Sequence, residues 1–491
     1  VTDPDLGALA EQARRAHVAI VGGGIAGLVA ALEFAKVGVR VTVLEQDDRA
    51  GGVVRSAEID GLVLDVGAES YATRGGTVRA LLDELGLGGA VTAPNPGGAW
   101  VAGLPGGDAA PLPRGGVLGI PDNPWAPEVR RIIGWAGAWR AYLDRLRPPL
   151  TVGHQHSLGA LVRTRMGARV LDRLVAPVTG GVYSARPEDI DVDLAAPGLN
   201  AALTRTGSLS GAVADLRGGR TSAPGGAVEG LVGGMATLVD ALVARVRELG
   251  GEVRTGASVT GLRARDDGWT VHLDAEGEPG EADEVEADAV VVAVPEKAAR
   301  MLLAPVVPTL DREASASPVV EVVTLVLDST ELDAFPRGSG VLTLPGARPA
   351  KALTHSTAKW EWVARAAGPG RHVVRVSFGA QGEAPVTAAL DDDGAARLAL
   401  EEASTLLGVP LDASQLRGAL RERFAQAQPA ATIGRAAATA AARGAISAVP
   451  GLGAAGAWLS GTGLAQVVPD ARAEADRIRS ALLWGAGAPD A

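Results

Sequence analysis

A short apolar run (Val18, Ala19, Ile20, Val21) feeds directly into Gly22, Gly23, Gly24, Ile25, Ala26 and Gly27. A helical pattern with Leu28, Leu32 and Ala35 on one face follows at once. Strand, glycine turn and helix in this order constrain the chain more than anything else in it. Gly22 permits the tight turn, Gly24 lets backbone approach a pyrophosphate with no Cβ in the way, and Gly27 lets the helix lie close on the sheet. The helix N-terminus then offers unpaired N–H groups and the positive end of its dipole to phosphate.

One G-x-G-x-x-G in a chain with 66 glycines is a weak signal by itself. Its surroundings strengthen it. A second strand at 40–44 (RVTVL) ends in Glu45, about twenty residues on, where a carboxylate binds ribose hydroxyls. An acid there disfavours a 2′-phosphate, so the expected nucleotide is FAD or NAD rather than NADP. Gly51 and Gly52 follow, with Arg55 behind them. The alternative is a structural βαβ unit that holds no ligand.

At 491 residues the chain is too long for one core, so two or three domains are expected. A net charge of −11 disfavours nucleic acid and simple adsorption on anionic lipid. The absence of cysteine excludes disulfides, thiolate metal sites, cysteine nucleophiles and a cysteinyl–flavin bond. The first residues lack the pattern of a signal peptide, and no charge-free stretch of eighteen apolar residues occurs. A cytoplasmic location is the expectation.

Along the chain, 62–65 reads as a strand running into VGAES (66–70), and 77–87 as an amphipathic helix stopped by Gly86. The Pro/Gly-rich 94–127 reads as the exit from the nucleotide unit, with short strands at best. Residues 127–146 read as one long helix with a stripe of Val129, Ile132, Ala136, Trp139, Leu143 and Leu146. Tryptophan on one side and arginine on the other could suit a membrane interface, but the narrow stripe favours a core helix with a solvated basic face. His154 and His156 form an HxH pair, but no acid lies near them in sequence, so they read as solvated and no metal site is expected. Helices at 158–166 and 168–176 precede a loop, PVTGGVY (177–183). After a helix that starts at Met235, strands at 252–254, 258–263, 270–273 and 288–294 resume the first sheet. From 318 to 424 the pattern is β-rich with a helix at 395–407, and the chain closes with a strand at 454–459, the turn SGTG (460–463) and a helix.

VAIVGGGIAGLVAA (18–31), LEQDDRAGGVVRS (44–56), DVGAES (65–70), APVTGGVYSARPEDI (176–190), GGMATLVDAL (233–242), DAVVVAVP (288–295), FPRGSGVLTL (335–344), KALTHSTAKW (351–360), VRVSFG (374–379) and GAWLSGTGL (456–464) stand in this order. The chain thereby resembles the flavin amine oxidase superfamily and, within it, the bacterial protoporphyrinogen/coproporphyrinogen oxidases. The resemblance implies an α/β fold with α+β parts. A discontinuous Rossmann-like FAD-binding domain would span 1–90, 225–297 and 429–491, with a helical insertion domain at 91–224 that shapes the entrance and often faces the membrane, and a β-rich substrate domain at 298–428. It implies FAD as cofactor and a porphyrinogen tetrapyrrole as substrate, most simply coproporphyrinogen III, with O2 reoxidising the flavin to give H2O2. The matching FAD positions are Gly22, Gly23, Gly24, Ile25, Ala26, Gly27, Glu45, Gln46, Gly51, Gly52, Val53, Gly67, Ala68, Glu69, Ser70, Val259, Gly456, Trp458 and Val467. Arg74, Tyr183 and Trp360 are the substrate-side candidates, and the resemblance supplies no dedicated catalytic acid or base.

The chain departs from the family at Ala431 and Arg435, where Tyr and His are common, and at Ser460, Ala465 and Ala471, where Asp, Pro and Gly are usual. Two other functions stay open: another flavin oxidase with an amine or secondary-metabolite substrate, and an FAD-bound protein without catalysis. Trp458 supplies one of the aromatics an amine oxidase places before its flavin, but Lys297 lies on the wrong connection for a lysine near N5. Nucleic acid is not an expected partner, a peripheral membrane contact is open, and the sequence does not give an oligomeric state.

Overall fold

The computed structural model describes residues 6–147, 156–218, 228–274, 283–312, 317–425 and 431–485. Its first sheet is five-stranded and parallel, in the order Glu252–Arg254, Arg40–Leu44, His17–Val21, Ala289–Val292, Leu452–Ala454. Helices Ile25–Ala35 and Leu464–Trp484 cover one face and a second, antiparallel sheet packs on the other, which is why His17–Val21 and Ala289–Val292 are buried at every position. The helix Ile25–Ala35 is buried almost all round, because the last helix, Leu464–Trp484, packs along it through Val468, Ala471 and Ala475. The small Ala471, fully buried, lets the two helices close together. Three chain segments far apart in sequence thus build one nucleotide-binding unit.

A separate antiparallel sheet of Val259–Arg265, Gly268–Leu273 and Glu284–Ala287 packs Trp269 and Val271 against it. The strands expected at 258–263 and 270–273 therefore lie outside the parallel sheet, paired with a third strand, Glu284–Ala287, whose alternating burial leaves one face wet. The strand expected at 454–459 is also shorter, because Gly456 at φ +118° ends it and Ala457–Ser460 is a helical turn.

The large sheet has seven strands, in the order Leu416–Ala425, Val319–Asp328, Arg371–Phe378, Ala350–His355, Gly340–Thr343, Ala99–Ala102, Ala109–Pro111. Helix Asp392–Leu407, N-capped by Asp391, covers one face through Val323, Leu325, Leu353, Val374 and Val376. The last two strands correct the expected boundaries: residues 99–111, counted with the helical segment, belong to this sheet. Ala99–Ala102 runs parallel to Gly340–Thr343, a pairing invisible locally.

The helical part differs from expectation in two places. Helix Pro127–Tyr142 breaks at Gly134 (φ +71°, ψ +171°), and the chain continues as the 3₁₀ turn Leu143–Leu146. The break changes the buried face from the expected stripe to Val129, Ile132, Ile133, Gly137, Ala138 and Ala141. Trp139, Leu143 and Leu146 are left exposed, as is Trp135. The expected loop 177–183 is helix Ala176–Tyr183, continuous with Ala168–Val170 through the π-type turn Leu171–Val175. Pro177, which has no N–H to give the helical ladder, follows directly on that π-type turn. Gly181 lets that helix touch Leu342 of the large sheet, since a Cβ there would lie 2.6 Å from it.

A buried histidine pair sits behind the large sheet. His355 Nε2 lies 3.1 Å from His372 Nδ1, and His372 Nε2 lies 3.0 Å from the Asp333 carboxylate. The carboxylate fixes the proton of His372 on Nε2, leaving Nδ1 to accept from His355 and from Thr357. Burial and the neighbouring His372 lower the His355 pKa to about 3. Between pH 6.5 and 3 the unfolded chain therefore takes up a proton that the folded chain refuses, and stability falls as pH falls. The expected loss is about 1.4 kcal/mol per pH unit over that window. His17 and His372, both lowered chiefly by burial, act in the same direction. Urea midpoints measured from pH 7 to pH 4 will show a shallower decline in His355→Gln than in the parent. Equal slopes would contradict the account.

Candidate flavin site

The glycine turn is built as the sequence predicts. Gly22 has φ +105°, and a Cβ there would lie 2.7 Å from the Ala293 carbonyl oxygen. A Cβ on Gly27 would lie 1.9 Å from the Gly22 carbonyl oxygen, so only glycine lets this helix seat on its strand. Gly24 is different: a Cβ there meets no atom within 4 Å. It faces open space and is the N-cap of Ile25–Ala35, with no side chain to satisfy the first-turn N–H groups. An uncapped helix N-terminus opening onto space that a Cβ would occupy fits a pyrophosphate.

Glu45 is buried at the end of the second strand. Its Oε2 accepts from Gly23 N–H (2.7 Å) and its Oε1 from Asp47 N–H (3.0 Å), which fixes the carboxylate beside the turn with lone pairs to spare for ribose hydroxyls. Gly51 bridges to Gly24 and donates to Gly23 O (2.9 Å), while Gly52 has φ +59°. Gln46 and Val53 are exposed. Residues 254–257 run along 45–47, with Ala257 N–H on Glu45 O (2.8 Å), and half-buried Val259 follows two residues on. Gly456 lies against the other side of the turn, its would-be Cβ 3.7 Å from Ala26. The first and last expected motifs therefore meet in space.

Several expected contacts have other roles here. The Trp458 ring is buried in the apolar core, not turned to an open face, and Val467 is buried with the last helix. Gly67 is glycine because its Cβ would lie 2.0 Å from the Val53 carbonyl oxygen, a backbone packing need that the sequence reading took for ligand approach. Ala68 and Ser70 are half-buried beside it. The Glu69 carboxylate receives Lys359 Nζ (2.6 Å) and Arg375 Nη1 (3.0 Å). Burial pushes its pKa up, but the two cations overcome that and hold it at about 2. Arg375 Nη2 also donates to Val66 O and Gly67 O (3.0 and 2.5 Å). The acidic motif is thereby clamped to the large sheet. Asp65 accepts Met235 N–H with both oxygens (2.9 and 3.0 Å), and burial raises its pKa to about 6.

Among the substrate-side expectations, Arg74 is exposed in the turn after residues 65–70. Tyr183 ends its helix, and its side chain lies outside the described residues. Trp360 is buried, 2% exposed, and packs among Leu62, Leu64, Val363 and Val373. His156 is exposed, as expected. Folding brings Asp191, distant in sequence, to 3.3 Å from His156 Nδ1, with Asp193 beside it. His154 lies outside the described residues.

Sequence reasoning missed the ties that lock the last segment. Arg435 Nη2 donates to Glu296 Oε2 (2.9 Å) and to the Trp458 carbonyl (2.7 Å), and Glu296 also holds Arg300 (2.9 Å). Arg435 thus anchors the turn that carries Trp458. Ser460 Oγ donates to Gly456 O (3.1 Å), and Ala431 pairs with Asp191 N–H through its carbonyl (2.6 Å). A charged residue inside an otherwise apolar strand, as with Arg375, was the one local sign of such ties.

The sequence profile of the flavin-containing amine oxidoreductases matches residues 25–479, and the chain belongs to that family. It is an FAD-dependent oxidoreductase. Within the family it is 30% identical to the coproporphyrinogen III oxidase of Propionibacterium freudenreichii subsp. freudenreichii, over 96% of this chain and 92% of that one. The coproporphyrinogen III oxidase of Mycobacterium tuberculosis (strain ATCC 25618 / H37Rv) is 32% identical over 91% of this chain and 93% of its own. A solved structure from Exiguobacterium sp. 255-15, assigned as a protoporphyrinogen oxidase, superposes with a TM-score of 0.80 at 24% identity, covering 94% and 98% of the two chains.

Proposed function

We propose that the chain oxidises coproporphyrinogen III to the porphyrin, a step of haem biosynthesis. Six electrons and six protons leave the macrocycle, and three O2 become three H2O2. The observation that carries this reading is similarity to coproporphyrinogen III oxidases along 96% of the chain. Bound FAD supplies two-electron acceptance in each of three turns. The protein's share is to hold and orient: residues 22–27 and Gly51 cradle the pyrophosphate, Glu45 takes the ribose, and exposed Arg74 offers a cation to a substrate carboxylate. Aerobic turnover of coproporphyrinogen III by the purified protein will give porphyrin emission and H2O2 in a ratio of one to three. Emission no faster than uncatalysed autoxidation would contradict the reading.

The helical region carries a peripheral membrane contact in the same reading. Trp125 packs against Trp135, Trp139 and Tyr142 at centroid distances of 6.3, 5.0 and 5.5 Å, and Trp135 and Trp139 stay more than half exposed. Arg130 lies over the Trp135 ring (4.2 Å) and Arg145 over the Tyr142 ring (5.3 Å), while Asp144 is buried in an ion pair with Arg165. Exposed tryptophan with arginine stacked on the same cluster suits an anionic lipid headgroup layer. Among the described residues no helix is long and apolar enough to cross a membrane. The double variant Trp135→Ser/Trp139→Ser will lose most of its sedimentation with phosphatidylglycerol vesicles. Unchanged sedimentation, or none in the parent, would remove this contact.

A further inference from the structure

Three irregularities converge on one side chain. The strand Ala350–His355 carries a bulge against Arg371–Phe378: Ala350 pairs with Phe378 and Ala352 with Ser377, so Lys351 is the extra residue. A bulge re-aims the side chain it inserts. The Lys351 ammonium turns toward the helical region and donates to Ser184 Oγ (2.8 Å). Ser184 is itself held left-handed at φ +50°, a conformation that a non-glycine residue adopts at a cost. Among the described residues no carboxylate pairs with Lys351, although the side chain is half-buried. Burial alone lowers its pKa to about 8.

An ammonium drawn partly out of water with a neutral hydroxyl as its hydrogen-bond partner keeps donors free for an anionic ligand. Gly180, one turn before Ser184 on helix Ala176–Tyr183, has no atom within 4 Å of where its Cβ would be. Its neighbour Gly181 meets Leu342 on the strand beside Lys351. We infer that Lys351, aimed by its bulge and steadied by Ser184, binds a carboxylate of the substrate between the helix Ala176–Tyr183 and the large sheet. The inference rests on the proposed function, which makes the substrate a tetrapyrrole bearing carboxylate side chains.

The test uses flavin-loaded parent, Lys351→Met and Lys351→Arg, titrated with coproporphyrin III by fluorescence quenching and assayed with coproporphyrinogen III. One charge-assisted hydrogen bond is worth roughly ten- to a hundredfold in affinity. Lys351→Met is therefore expected to bind the porphyrin at least tenfold more weakly, with the loss falling on KM. Its thermal midpoint should be unchanged or raised, since a partly desolvated charge has gone. Lys351→Arg should stay within about threefold of the parent and keep its affinity above pH 9, where the parent loses it. If Lys351→Met binds coproporphyrin III as tightly as a parent that does bind it, the inference falls while the proposed function stands. If the parent binds no coproporphyrin III at all, both fall.

Discussion

Gly27→Ala will hold almost no flavin. Its new methyl would sit 1.9 Å from the Gly22 carbonyl oxygen, with strand residue Ile20 3.1 Å away. Backbone blocks it, so no side-chain rotation relieves the clash, and the helix must lift from the sheet at a cost of about 3 kcal/mol or more. Lifting the helix also moves the N–H groups that face the phosphates. Bound flavin, read as the ratio of visible to protein absorbance, should fall below roughly a tenth of the parent's. Gly24→Ala separates the two effects. A methyl there meets no protein atom within 4 Å, so the apoprotein should melt with the parent while flavin affinity drops. A Gly24→Ala protein that keeps full flavin would mean that the pyrophosphate lies elsewhere.

Arg375→Met will be among the most destabilising single changes away from the glycine turn. Arg375 is 7% exposed and serves three acceptors: Glu69 and the carbonyls of Val66 and Gly67. Its loss leaves a buried carboxylate with Lys359 as its remaining cation and two carbonyls without that donor. Breaking a buried pair in this way costs about 3 to 5 kcal/mol. Urea unfolding at pH 7 should show a drop of that size, partly recovered in Glu69→Gln/Arg375→Met because the uncompensated charge is gone too. A loss under about 1 kcal/mol would show that the clamp contributes little.

Local chemistry was legible in the sequence, and long-range chemistry was not. The strand, glycine turn and helix at 17–35 follow from residues adjacent in the chain, so their spacing predicts them. Glu69 carries a motif that reads as cofactor contact, yet its partners lie 290 and 306 residues away, and no period in the sequence connects them. The pairing of Ala99–Ala102 with Gly340–Thr343 is hidden for the same reason. Glycine and proline misled in both directions. Gly134 broke a helix whose apolar spacing looked continuous, and the Pro177, Gly180 and Gly181 that read as a loop form a helix after a π-type turn. Trp360 reads as an aromatic for a substrate, while the structure packs it with Leu62, Leu64 and Val373, residues far from it or across strands that no local pattern connects to it. The bulge at Lys351 leaves no mark in the sequence, because only the pairing with the neighbouring strand creates it.

The most direct measurement is anaerobic mixing of the flavin-loaded protein with coproporphyrinogen III, followed by admission of air. The account predicts bleaching of the flavin absorbance on mixing, then recovery of the yellow colour together with porphyrin emission when O2 enters. A flavin that stays oxidised with coproporphyrinogen III, and with protoporphyrinogen IX, would contradict it.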